Sequence, residues 1–198
     1  MYLFKKPTDE RIGNFIESQS RLEFTYPSVG TTKTGEHPSG FLFDHNRIRL
    51  GSGQATFDSA KRALCEWRHY RFDWIELYRP DVDPVPDQTV GVLVRALGLW
   101  VLNACRIAYV IEEEQYPLHK FAFAYGTLPE HAESGEERFQ VEWNQEDDSV
   151  WYDILAFSRP NQLFAQLAYP YVRRKQKQFA RDSMQAMKAA VAGASTGQ

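Results

Sequence analysis

The chain has 198 residues, 43% hydrophobic, 25% charged and 14% aromatic, with a net charge of −3 at pH 7. That length suits one domain with a real core, and the composition is that of a soluble globular protein. A slight negative charge excludes the global basic field that draws nucleic acid, and two cysteines are too few for a disulfide scaffold.

Neither Cys65 nor Cys105 sits in a C-x-x-C pair, and both read as reduced, packed thiols of a cytoplasmic protein. Residues 1–7 lack the apolar run of a signal peptide. The longest apolar stretch, 90–111, is interrupted by Arg95, Asn103 and Arg106. It therefore reads as two strands rather than a transmembrane segment.

In chain order, Thr8 followed by Asp9 and Glu10 marks a helix start, and Ile12, Phe15 and Ile16 at helical spacing carry it to about residue 18. Residues 20–40, rich in Ser, Thr, Pro and Gly, read as a long loop of the kind used for lids, binding loops or flexible segments. Residues 41–50 read as a strand, and Gly51 and Gly53 break it. Phe57, Ala60, Leu64 and Trp67 predict a helix over 54–69. Residues 72–78 are extended, and the Pro- and Asp-rich stretch 79–86 is a turn region.

Four strands follow, over 89–95, 100–113, 120–125 and 138–143, with a turn at Leu97 and Gly98 between the first two. Phe121, Phe123 and Tyr125 share one face, as do Phe139, Val141 and Trp143, which are read as inward. A final strand spans 150–157, and its register depends on the preceding turn. A five-residue turn over 144–148 places Trp151 and Asp153 on the inner face; a four-residue turn places Tyr152 and Ile154 there. Trp151 with Leu155 and Phe157 favours the first.

Ser158 then reads as the N-cap of one long helix running to about residue 191, with Pro160 in its first turn. Phe164, Leu167, Tyr171, Phe179, Met184, Met187 and Val191 form its apolar stripe. Pro170 must kink that helix or mark a short break. Residues 193–198 read as a disordered tail. The fold class is α+β: a curved antiparallel sheet gripping a long C-terminal helix, with an extra N-terminal helix, as a single domain over 1–192.

Chemistry-bearing residues gather in two places. Tyr125, Thr127, His131, Glu136 and Glu137 fall around the link between two strands, at the rim of the sheet. They read either as a pocket mouth or as a solvated hairpin loop, and loops are polar for several reasons. Asn103, Arg106 and Tyr109 form the second set; Asn103 and Tyr109 share a parity and Arg106 lies opposite. An inward Arg106 needs a carboxylate, with Asp153 or Glu142 as partners; otherwise it is a surface residue on the outer sheet face. The five histidines have no metal-ligand spacing, and no phosphate-loop, dinucleotide or nucleophile-elbow motif is present. No cofactor is expected. The basic cluster Arg173, Arg174, Lys175, Lys177 and Arg181 reads as the solvated face of an amphipathic helix, or as a contact for phosphates or anionic lipid.

Several of these residues also carry a resemblance. Gly98-Leu-Trp, Asn103-Ala-Cys-Arg106, Tyr125-Gly-Thr-Leu-Pro129 with His131, Gly135-Glu-Glu-Arg-Phe139, and Tyr169-Pro170 with Val172-Arg173, Gln176 and Phe179 resemble the domain-of-unknown-function family 1990 of bacteria and plants. So do Tyr26-Pro27 and Arg49-Leu-Gly51. The resemblance runs from about residue 26 to 187 and implies no established activity. That family looks similar to the START-like, or SRPBCC, helix-grip superfamily, whose members hold lipids, hormones or polyketides between sheet and helix. The helix over 8–18 and the loop over 20–40 depart from the simple helix-grip pattern, as elements that cover or plug the pocket entrance.

The leading expectation is a protein binding a small, partly apolar or amphipathic molecule in a cavity under the last helix, with the candidate residues named above and with Trp151 and Asp153. A cavity packed solid by Phe121, Phe123 and Trp143 would defeat it. The alternatives are an enzyme of hydrolase or cyclase type, using Asp153, Tyr125, Glu137 or His131 as acid and base, and a non-catalytic interaction protein working through the basic helix.

Overall fold

The computed structural model describes residues 1–78, 81 and 83–195. Its elements run β1 (Tyr2–Leu3), α1 (Asp9–Ser20), α2 (Thr31–Thr34), β2 (Leu42–Ser52), α3 (Gln54–Cys65), a 3-10 turn (Arg68–Tyr70), β3 (Ile75–Tyr78), β4 (Thr89–Ala96), β5 (Leu99–Gln115), β6 (Leu118–Thr127), β7 (Glu133–Asn144), β8 (Ser149–Pro160), α4 (Leu163–Leu167) and α5 (Tyr169–Ser195). The eight strands form one antiparallel sheet in the order β2-β8-β7-β6-β5-β4-β3, with β1 paired to β5 beyond the reach of β6.

The sheet curves because its strands are bulged. One irregularity falls between Arg49 and Gly51 in β2, the other between Ile107 and Tyr109 in β5. The concave face carries Val90, Val92, Ile107, Phe121, Phe123, Tyr125, Phe139, Val141, Tyr152 and Ile154. Against it pack α3, the 3-10 turn and α5, which contributes Ala180, Met187 and Val191. The buried Tyr152 and Ser183 hydroxyls meet at 2.9 Å and fix the rotation of α5 on the sheet.

The convex face is also covered. α1 begins where the sequence places it: the Thr8 hydroxyl accepts the Arg11 amide at 3.3 Å. Its buried Ile12, Phe15 and Ile16 pack with Leu93, Leu102, Ala104 and Leu128 of the outer core. Gly91 admits this helix, since a Cβ there would lie 2.8 Å from Ile16 Cδ1. The segment expected as a lid or plug over 20–40 is neither: it crosses the convex face as a strap, away from the cavity side. Gly126 makes room for it, because a Cβ there would overlap the Tyr26 hydroxyl and press on Phe24.

Four expectations change. The helix from residue 54 ends at Cys65, and Trp67 turns left-handed (φ 55°) into the 3-10 turn instead of continuing to residue 69. Ser158 does not cap a helix; it extends β8 and pairs with both Leu42 and Gly135. β8 ends at Pro160, opposite Glu133. The single C-terminal helix is two, parted at Ala168 by the short break that Pro170 was expected to mark, with Pro170 itself in the first turn of α5, where a missing N–H costs nothing. Finally, residues 193–195, expected to be tail, continue α5. Residues 79, 80, 82 and 196–198, parts of the expected turn region and tail, lie outside the described residues.

Candidate functional site

The concave face is filled at one end and hollow at the other. At the α3 end, Phe57, Trp67, Phe121, Phe123, Phe139 and Tyr152 belong to one buried cluster, with the Phe123 ring against both Trp67 and Phe139. His69 is stacked on Trp67 there, fully buried, with neither ring nitrogen hydrogen-bonded, and burial lowers its pKa to about 3. Toward α4 and the first turns of α5 the contact opens into a cavity of about 540 Å³. Val92, Val94, Val101, Ile154, Phe179 and Ala180 supply apolar wall. Leu97, on the β4–β5 hairpin tip, and Phe164, on α4, are both exposed and both line it.

β7 supplies the main polar groups. Its residues alternate, so Glu133 and Glu137 face the cavity, while Glu136 and Arg138 face the strap. Glu137 Oε2 accepts a 2.7 Å hydrogen bond from the Tyr125 hydroxyl, which in turn accepts one from the Tyr70 hydroxyl. Burial raises the Glu137 carboxyl to about 7, partly offset by Tyr125. Burial also lifts Tyr70 and Tyr125 well above the ordinary phenol range. Glu133 is likewise raised by burial to about 7 and accepts a hydrogen bond from Gln176 of α5. The Gln176 amide also donates to Ser158 Oγ at 3.0 Å. Arg173 holds Asp44 of β2 through two bonds, at 2.6 and 2.8 Å. These contacts tie the start of α5 to the sheet beside the cavity. Trp74 does the same from β3's side, donating to Asp182 at 2.8 Å with Lys175 over its ring.

A second polar corner lies where β5 meets the β6–β7 link. Asn103, 6% exposed, accepts the Ala132 amide at 3.1 Å through Oδ1. His131 Nδ1 lies 2.9 Å from the Glu133 amide and 3.0 Å from the Glu133 carbonyl, so this ring nitrogen is engaged by the backbone two residues on. Burial lowers its pKa to about 4, so the ring is neutral. Thr127 Oγ1 accepts the Gly135 amide at 2.9 Å and meets the Thr25 hydroxyl, so it is already satisfied.

Of the nine candidate residues, the structure brings Asn103, Tyr125, Thr127, His131 and Glu137 to the cavity. The other four face outward. Trp151 and Asp153 are convex because the β7–β8 turn has four residues, pairing Asn144 with Ser149 and Trp143 with Val150; Tyr152 and Ile154 take the inner face. Asp153 joins His45 and Arg138 beneath the strap. Tyr109 is turned outward by the bulge, pairing with Ala124 and bonding Thr32 of the strap. Arg106 takes no carboxylate; it donates to the Ser20 and Leu22 carbonyls at 3.0 Å and lies over the Phe24 ring. Glu136 also serves the strap. Its carboxylate, 2% exposed, accepts the Tyr26 hydroxyl, the Gly30 and Thr32 amides and the Thr32 hydroxyl.

Tyr70 and Glu133 were not singled out from sequence, and Gln176 entered only as a residue of the family resemblance. The usable signal was the period-two pattern upstream of Arg138, which makes residues 133–137 strand rather than loop and sends Glu133 inward with Glu137.

A curved antiparallel sheet closed by a long C-terminal helix over an interior cavity defines the START-like helix-grip class. Within it, the chain belongs to the family described as Domain of unknown function (DUF1990), which matches residues 25–186. It is 35% identical over 207 residues to a UPF0548 protein of Dictyostelium discoideum, covering 96% of each chain. It is 36% identical over 155 residues to a UPF0548 protein of Arabidopsis thaliana, covering 75% of this chain and 72% of the relative. Among solved structures it is similar in fold to Ara h 8.0201, at a TM-score of 0.50 and 12% identity over 78% of this chain and 99% of that one. No helix among the described residues is long and apolar enough to cross a membrane.

Proposed function

We propose that this protein is a container for a small, mostly apolar molecule, held between the concave face of the sheet and α5. The observation that carries the reading is the cavity of about 540 Å³, apolar in its walls with a few polar groups aimed into it. Asn103, Tyr125, His131 and Glu137 are the side chains assigned to orient the ligand. The aromatic packing that would have filled the space, Phe121, Phe123 and Trp143, occupies only the α3 end. Neutral N-phenyl-1-naphthylamine, which fluoresces in apolar surroundings, is expected to bind and be enhanced. Ala180→Trp, which fills the cavity from α5, should weaken that binding at least about tenfold, the order expected when a close-packed wall loses its void. Unchanged binding in the filled variant would remove the cavity from the explanation.

One observation favours a second reading, an enzyme acting on such a ligand: Tyr125 and Glu137 converge at 2.7 Å inside the cavity. The basic helix has less to offer an external partner, since Arg173 is held by Asp44 and Lys175 by Trp74, leaving Arg174, Lys177 and Arg181 on the exposed side.

A further inference from the structure

Two carboxyl groups of β7 reach the cavity without a cation between them. Among the described residues, Glu137 accepts one hydrogen bond, from Tyr125 to Oε2; Oε1 accepts none. Glu137 is half-buried and lines the cavity. Glu133 receives an amide from Gln176, not a charge. The charged groups acting on Glu137 are both negative: Glu133 on its own strand and Asp44 on β2. The other titratable groups facing it are neutral: Tyr125 from β6, Tyr70 from the 3-10 turn, Cys105 from β5 and Tyr152 from β8. Arg173, whose charge acts on Glu133, is paired with Asp44; of the cations of α5 that line the cavity, Lys175 lies over the Trp74 ring and Lys177 and Arg181 are exposed to solvent.

A buried carboxylate that accepts one neutral hydrogen bond is poorly compensated. It must stay protonated or take a cation from elsewhere. The fixed donors nearby do not answer that need, because Tyr125 is already committed and Asn103 and His131 are neutral. A ligand can.

We infer that the cavity takes an organic amine: a protonated amino group seated against the free oxygen of Glu137, on a mostly apolar body lying along Val92, Val94, Ile154 and Phe179. This rests on the container reading and names its ligand class. Glu133, on the same face of the same strand, adds a second negative group to the field the ammonium meets. Because burial holds both carboxyls near 7, the preference for an ammonium should grow as pH rises through that value.

The test uses displacement of N-phenyl-1-naphthylamine from the full-length protein by 4-phenylbutylamine, 4-phenylbutanol and 4-phenylbutyrate, which share a body and differ in the head. At pH 8.5 the amine is expected to compete roughly tenfold or more better than the alcohol, as a charge-assisted hydrogen bond implies, with the carboxylate weakest. At pH 5.5, where the amine is still charged but Glu137 is protonated, that ratio should shrink toward one. Glu137→Gln should bring the ratio at pH 8.5 near one, whereas Tyr125→Phe, which keeps the carboxylate, should preserve it. The wild-type pH series requires no variant to fold, and each variant is read as a ratio within itself. An amine-to-alcohol ratio of one at pH 8.5, or one that does not change with pH, overturns the amine assignment while leaving the container reading standing. Failure of the fluorophore to bind the wild-type protein would instead take down the container reading beneath it.

Discussion

Glu136 and Glu137 are adjacent in β7, the first buried and the second half-buried against the cavity, and they differ in how many hydrogen bonds they accept. Glu136 accepts four, from Tyr26, Gly30 and Thr32, and so closes the strap onto the convex face. Glu137 accepts one. Removing the first leaves several donors buried without a partner; removing the charge of the second relieves a desolvated group. Glu136→Ala is therefore expected to lower unfolding free energy by about 3–5 kcal/mol, the usual cost of stripping one partner from a buried charged network. A urea titration followed by tryptophan fluorescence measures it, and a loss below about 1 kcal/mol would mean that the strap is not held by this carboxylate.

At the scale of elements, the convex face depends on backbone approaching backbone. Gly126 is occupied on its side-chain side by Tyr26 and Phe24. Gly126→Ala should displace the strap and cost about 1–3 kcal/mol, with earlier proteolysis within residues 20–40 as the local signature. Equal proteolysis of the two proteins would contradict this. Most strands and α1 were legible, because alternation, N-capping and the Leu97-Gly98 turn (φ 51° and 79°) are local signals. The face of β8 was not. It hangs on whether the turn after Asn144 has four residues or five, and Trp151, Leu155 and Phe157 are as apolar as residues of an inner face. The convex face covers them too: Phe157 packs edge-on against both Tyr26 and Phe41, Leu155 is buried, and Trp151 lies half-buried under Arg47. A sheet buried on both sides erases the contrast from which register is read. Tyr109 was hidden for a different reason, since a bulge shifts parity without marking the sequence.

For the molecule as a whole, the titratable groups enclosed on the concave side set the response to pH. Glu133 and Glu137 are raised from 4.5 to about 7 in the folded chain. A carboxyl with a raised folded value gives its full contribution below 4.5 and loses it as pH climbs through about 7. His69 and His131 run the other way: their folded values fall from 6.5 to about 3 and about 4, so the unfolded chain takes up protons first as pH drops below 6.5. The ligand-free protein should be most stable around pH 6, a window set by both pairs. Between pH 6 and pH 8.5 each carboxyl should take off roughly 1–1.5 kcal/mol, since only the last unit of the climb to about 7 lies above pH 6, and Glu137→Gln should remove its share of that loss. Thermal unfolding across pH checks the sign: a midpoint that rises steadily to pH 8.5 would contradict it.

The break at Ala168 separates two tasks that an unbroken helix would have to share. α5 is riveted to the sheet by Arg173, Gln176 and Ser183. α4 bonds only within its own turn and its flanks, through Gln166 to Gln162 and Ala168 to Phe164. It rests on the body through buried Ala165 and the contact of Phe164 with Tyr2. On the container reading proposed above, α4 is the element that would lift as a shutter, five residues rather than a helix of twenty-seven. The rate of filling and emptying would then follow the shutter, and the tightness of holding would follow the walls.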